Sequence, residues 1–148
     1  MSRRRLAVVA RPDHPSTTDL RLAGCRQAAA DAGAELVFLS GDPADHHFVA
    51  QVIAQSDCVA CSNDVTAAAL IASLRTLDIS VPNKMRVGGF DDAGAAATSL
   101  VPLTTIHMPC RELARQAVRT LLERIAEPQL PARQVLLTGR LVVRRSSG

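Results

Sequence analysis

Four short polar clusters gather the side chains in this chain that could do chemistry. They are Ser16-Thr17-Thr18-Asp19 with Arg21 just beyond, Asp42 beside Pro43, Asn63-Asp64, and Asp91-Asp92. A guanidinium is a rigid fork of donors, a carboxylate is an acceptor, and a carboxamide is both. Arg21, Asp91 and Asn63, with the Thr17 hydroxyl, therefore make a set able to hydrogen-bond a small polyhydroxylated or polar ligand. Each also has a plainer role: Ser16 to Asp19, and Asn63 or Asp64, can cap helices, and Asp91 can shape a turn. Groups for bond-making and bond-breaking are scarce. His14, His46, His47 and His107 are scattered, and no Ser-His-Asp or Cys-His spacing occurs. Arg11-Pro-Asp-His-Pro15 follows the first apolar run where a phosphate-binding protein would carry G-x-G-x-x-G. Cys58-x-x-Cys61 sits in a strand-like run, where a spacing of three points the two thiols to opposite faces, and no second pair completes a zinc site. His46-His47 beside Asp45 suits a solvated helix start better than a metal site. The side chains thus predict a binding module with no catalytic residues, metal or cofactor.

The elements that must position these groups alternate along the chain. Leu6–Val9 reads as a short buried strand, and a helix follows to about Ala32, with Leu20, Ala23, Ala28 and Ala32 as its small-residue face and Gly33 as its stop. Glu35–Leu39 is a second strand, and Ala44 to about Gln55 a second helix. Cys58–Cys61 is a third strand, and a helix capped by Asn63 or Asp64 ends near Leu77. After Val81-Pro82 comes a fourth strand, Met85–Gly88. Continuous apolar strands separated by helices predict an α/β fold with a doubly wound parallel sheet, its strands buried on both faces. In such a sheet ligands bind beyond the carboxyl ends of the strands, which is where all four polar clusters fall. The rest departs from the alternation. Leu103–Ile106 reads as a strand, Cys110 to Ala126 as an amphipathic helix started by Pro109, and Val135–Leu137 and Leu141–Val143 as short terminal strands.

Composition removes several function classes. With 148 residues and 47% hydrophobic content the chain suits one compact domain, and disorder is excluded. No apolar run is long enough to span a bilayer. The only aromatics are Phe38, Phe48 and Phe90, too few for a base-stacking nucleic-acid module. The net charge of +3 comes from the ends: 17 Lys+Arg less Arg3, Arg4, Arg5, Arg144 and Arg145 leaves 12, against 14 Asp+Glu. The body therefore carries no electrostatic footprint for DNA, and the arginine runs read as solvated flanks. The four cysteines read as reduced thiols of a cytoplasmic protein, since no secretion signal precedes Leu6.

The order of motifs is specific. Leu20-Arg-Leu-Ala-Gly-Cys-Arg-Gln-Ala28, Cys61-Ser-Asn-Asp64, Val81-Pro82, Val87-Gly-Gly-Phe-Asp-Asp92, Pro102-Leu-Thr-Thr-Ile106 and Leu141-Val-Val-Arg-Arg-Ser146 follow one another along nearly the whole chain. This string resembles the effector-binding core of the LacI/GalR family of bacterial transcription regulators, in its C-terminal half. The resemblance implies a periplasmic-binding-protein-like subdomain formed by residues 1–108 and 135–148. It also implies a crossover segment, 109–134, that packs on a separate N-terminal subdomain. The implied partners are a small sugar-like or purine-like effector, operator DNA through a helix-turn-helix headpiece outside these residues, and a second copy in a homodimer. The implied effector contacts are Thr17, Arg21, Asn63 and Asp91. Two positions depart from the family's pattern. Pro43 stands where an aromatic often packs on the ligand, and Cys110 where the crossover often has another residue.

The crossover helix raises a physical problem. Its stripe of Leu113, Ala117, Leu121, Leu122 and Ile125 needs burial, and at about 25 cal/mol per Å² its exposure forgoes several kcal/mol. Self-association, with helices exchanged between copies, is one expected remedy. Two rivals share parts of the pattern. A transport-type solute-binding protein would need a secretion signal, and a flavodoxin-like nucleotide-handling enzyme would need a phosphate loop.

Overall fold

The computed structural model describes residues 4–12, 15–94, 96 and 99–148, the side chains of residues 15–18 excepted. In chain order the elements are β1 (Arg5–Ala10), α1 (Pro15–Asp31), β2 (Glu35–Ser40), α2 (His46–Gln55), β3 (Cys58–Cys61), α3 (Asp64–Thr76), β4 (Arg86–Gly88), β5 (Thr105–His107), α4 (Cys110–Ala126) and β6 (Arg140–Val142). The first four strands form one parallel sheet in the order β2-β1-β3-β4. Parallel bridges from Gly88 to Thr104 and from Asp91 to His107 carry the sheet on to β5, and β6 closes it antiparallel to β5. The α/β parallel architecture is the expected one.

Burial on both faces explains the unbroken apolar strands. Ala7 and Val9 of β1, Val59 of β3 and Val87 of β4 face α2 and α3, where Val49, Val52, Leu70 and Leu74 complete the core. The opposite face of β1 carries Val8 and lies under α1. Local signals set the helix starts. The Asp45 carboxylate accepts from the His47 N–H at 2.9 Å, and the Asn63 carboxamide from the Thr66 N–H at 2.8 Å. Asp45 thus serves as a cap beside His46-His47, and α2 begins two residues later than its apolar pattern indicates.

Four sequence readings need correction. First, α1 starts at Pro15, so Ser16 to Thr18 stand inside its first turn, in front of no helix. Second, its buried face is Leu22 and Ala29; Leu20, Ala23, Ala28 and Ala32 are exposed, a rotation that lets Arg21 reach the turns after β3 and β4. Third, Val135–Leu137 pairs with no strand and instead lies beside Leu113 and Ala117 of α4. Fourth, two of the terminal arginines, Arg5 and Arg144, are only partly solvated, whereas Arg4 and Arg145 are exposed. Arg5 holds Asp57 at 2.8 Å and the Ala54 carbonyl at 2.8 Å, and Arg144 is engaged at the sheet edge. Arg3 and His14 lie outside the described residues.

The helix α4 has no buried residue. Leu113 is 42% exposed, Leu121 59%, Leu122 60% and Ile125 67%. The return segment runs back along it, with Arg133 on Glu123 and the Arg124 guanidinium on the Leu130 carbonyl at 3.1 Å. Among the described residues no helix is long and apolar enough to cross a membrane.

Candidate ligand-binding site at the strand ends

The carboxyl ends of β3 and β4 meet the middle of α1 in a cleft of about 650 Å³. Arg21 is its centre. Its guanidinium donates to the Ser62 carbonyl and to Asp91 Oδ1, the latter at 3.2 Å, and lies over the Phe90 ring with its carbon 3.9 Å from the centroid. Three elements thus fix one side chain: α1 carries it, the turn after β3 accepts from it, and the turn after β4 supplies both a counter-charge and a stacking face. A cation over an aromatic face adds attraction beyond packing. The remaining walls are Leu20, Gly24, Cys25, Ala60, Ile106 and Met108. The cleft is therefore mostly apolar, with one charged pair, an arrangement that fixes a ligand's orientation by a few polar groups.

Asp91 and Asp92 are presented by an unusual backbone. Their φ angles are 107° and 53°, where non-glycine residues are strained by about 1–3 kcal/mol each. The surroundings hold them there. The Asp91 N–H donates to the Ile106 carbonyl at 2.9 Å, and the Asp92 N–H to Thr105 Oγ1 at 3.3 Å. Asp64, almost fully buried, accepts from Thr105 Oγ1 at 2.6 Å and from the Ala93 N–H at 2.8 Å. Asp92 accepts from Arg144 Nη2 at 2.7 Å and sits 2.9 Å from His107 Nδ1. Gly89 makes this packing possible, since a Cβ there would stand 2.3 Å from Asp64 Oδ1.

The two neighbouring carboxylates titrate in opposite directions. Burial pushes the Asp91 carboxyl above the ordinary aspartate value of 3.8, with Arg21 opposing and Asp64 adding to the rise. The hydrogen bond from Arg144 holds Asp92 below that value, with His107 helping. Asp91 therefore takes up its proton above pH 3.8 as pH falls, while Asp92 stays ionised to below 3.8. For stability the signs differ. Asp92 contributes above 3.8 and loses its contribution as pH falls through its depressed value, whereas the charged form of Asp91 costs stability that acid restores. Ligand affinity that depends on ionised Asp91 is expected to fall as pH drops through the Asp91 titration, before the Asp92 pairs break. Carboxyl carbon NMR between pH 2 and 6, run beside ligand titrations, checks the order.

Of the four predicted contacts, the structure brings Arg21 and Asp91 together. Asn63 stands next to Ser62 at the α3 cap, its carboxamide oxygen already used. The Thr17 side chain lies outside the described residues. Pro43 is buried and accepts from Ser73 Oγ at 2.7 Å through its carbonyl, so it packs inside the protein. The ring at the site comes from Phe90. His107 and Arg144 are additions that only the fold reveals, and the fold gives Asp64 and Asp92 of the strand-end clusters their partners. Among the described residues no group of three or more His, Cys, Asp or Glu could hold a metal ion, and Cys25, Cys58, Cys61 and Cys110 are free thiols. Burial pushes the Cys61 thiol far up, which keeps it protonated and inert.

Comparison with known proteins places this geometry. A family model described as a periplasmic binding protein-like domain matches residues 2–147. The chain is similar to the HTH-type transcriptional repressor PurR of Photobacterium profundum, at 34% identity over 140 residues, covering 88% of this chain and 42% of that protein. It is similar to the ribose operon repressor of Escherichia coli K12, at 30% identity, covering 97% of this chain and 46% of that protein. Among solved structures it superimposes on a transcriptional regulator CelR-cellobiose complex with a TM-score of 0.86 and 26% identity, over 98% of this chain and 47% of that one. A LacI-type transcription regulator from Bifidobacterium animalis subsp. lactis gives a TM-score of 0.81 at 26% identity, over 98% and 59%. The chain thus spans about half the length of the curated relatives it matches.

Proposed function

The chain belongs to the periplasmic binding protein-like domain family, in its LacI-type branch, and on that premise we propose that it is the effector-sensing and dimerisation portion of a transcription regulator. The observation that carries this reading is Arg21 clamped between the Ser62 carbonyl and Asp91 in a cleft on the strand ends. A fixed donor fork and a partly exposed acceptor side by side suit a small ligand with alternating donors and acceptors, sugar-like or purine-like. Arg21 and Asp91 hold it directly, with Asn63 and Thr17 as the further proposed contacts. The role is binding without catalysis, in the cytoplasm, with no cofactor.

Residues 1–108 and 135–148 form the ligand-bearing subdomain, and 109–134 is the crossover segment. The bare face of α4 is the ground for that division. Its Leu121, Leu122 and Ile125 are more than half exposed and need a cover from another subdomain or from a second copy in a homodimer. In the whole regulator a ligand between two subdomains would favour one closure geometry and so alter operator binding by a headpiece outside these residues. The 148 residues hold one wall of that pocket, which predicts weak ligand binding and no operator-specific DNA binding by this chain alone. A thermal-shift screen with neutral sugars, sugar phosphates and purines tests the reading, because a ligand that binds the native state raises the melting temperature. A reproducible rise with one chemical class supports it; flat melting across the panel at tens of millimolar counts against it.

A further inference from the structure

We infer that Asp92 is a positioning residue: it holds the Asp91 turn and ties that turn to both strands through which the chain leaves for α4 and returns from it. Among the described residues, both side-chain bonds of Asp92 go to those two routes. One oxygen takes Arg144, two residues past the end of β6, at 2.7 Å, and the other faces His107, the last residue of β5, at 2.9 Å. Arg144 is itself anchored, with Nη1 on the Leu103 carbonyl at 2.8 Å. Both partners of the Arg144–Asp92 pair are well shielded, 21% and 15% exposed, so solvent screens the pair less than a surface salt bridge and removing one partner leaves the other charge poorly solvated.

The turn needs such a fastener. Two successive non-glycine residues at positive φ relax unless the structure around them is over-determined. The backbone bonds from Asp91 to Ile106 and from Asp92 to Thr105 come from the same β5 segment, so β5 and the return route together define where Asp91 stands. Asp91 in turn meets Arg21 on α1, the centre of the cleft. The path from ligand wall to crossover is thus Arg21, Asp91, Asp92, then His107 and Arg144. A displacement of the crossover strands relative to the sheet has to break the Asp92 pairs or move Asp91. This placement rests on the coordinates alone; only its consequence for ligand affinity rests on the function proposed above.

The test reads Asp91 directly and needs no ligand. The midpoint of the Asp91 carboxyl is followed by carbon NMR in the wild-type chain and in Asp92→Asn, Arg144→Met and His107→Gln, with core methyl shifts reporting the fold. Loosening the turn exposes Asp91 to water, so its raised midpoint is expected to fall toward the ordinary aspartate value in both Asp92→Asn and Arg144→Met. Charge alone gives opposite signs: removing a neighbouring carboxylate lowers the midpoint, and removing a neighbouring guanidinium raises it. A fall in both variants, with the double variant no lower than either single one, supports the inference. An unchanged midpoint, or opposite shifts in the two, overturns it. If Asp92→Asn does not fold, Arg144→Met and His107→Gln carry the same decision, since each removes one partner of the carboxylate and leaves Asp92 in place.

Discussion

Asp64→Ala is expected to lower the stability of this chain by about 3 kcal/mol, read as a fall of roughly 10 °C in melting temperature. Asp64 is 1% exposed, and its two oxygens take the Thr105 hydroxyl at 2.6 Å and the Ala93 N–H at 2.8 Å. Truncation leaves both donors without that acceptor, and donors shut away from water cost more than an average hydrogen bond returns. Asp64→Asn is expected to fall between the two, because its single oxygen serves only one donor. Gly89→Ala attacks the same contact from the other side. Its Cβ would meet Asp64 Oδ1 at 2.3 Å and Leu103 Cδ2 at 2.8 Å, an overpacking worth about 2 kcal/mol. The two changes share a contact, so the double variant is expected to lose less than the sum of the single losses. Chemical denaturation of the four proteins measures this; an Asp64→Ala chain within 1 kcal/mol of wild type would show that the buried carboxylate does not organise the strand ends.

Arg21→Met should abolish ligand binding while leaving the sheet intact. Methionine keeps the length of the stem and its packing on Phe90, and loses the bonds to Ser62 and Asp91. A ligand that relies on a charge-assisted fork loses about 2–4 kcal/mol, or roughly 30- to 1000-fold in affinity. The variant also strips Asp91 of its counter-charge while leaving it partly desolvated, so the Asp91 midpoint is expected to rise further. Arg144→Met is expected to move the same midpoint down although it too removes a guanidinium, so the pair of variants separates loss of a partner from loss of position. Calorimetry with the class found by the screen, together with carboxyl NMR, gives both readouts.

The parts legible in the sequence are those that local chemistry dictates. Leu6–Val9, Glu35–Leu39 and Cys58–Cys61 are readable because a strand buried on both faces has to be continuously apolar. Asn63 before an alanine-rich run is readable as a helix start. Arg21 and Asp91 are readable as strand-end groups because a parallel sheet brings its carboxyl ends to one edge. The rotation of α1 is not readable. Its composition of Ala, Gly and Arg marks no single apolar face, and the partners that Arg21 meets lie 41 and 70 residues away. Arg144 looked like a solvated terminal charge because its partner Asp92 lies 52 residues upstream. Val135–Leu137 looked like a strand because apolar residues beside a helix and apolar residues in a sheet leave the same short pattern.

Backbone amide NMR of the 148-residue chain, titrated with the class of compound that raises its melting temperature, is the most direct measurement. The account predicts shifts confined to one contiguous edge, at Arg21, Ser62, Asn63, Phe90 and Asp91, and absent in Arg21→Met. Shifts that map instead to the exposed face of α4, or that persist unchanged in Arg21→Met, would contradict it.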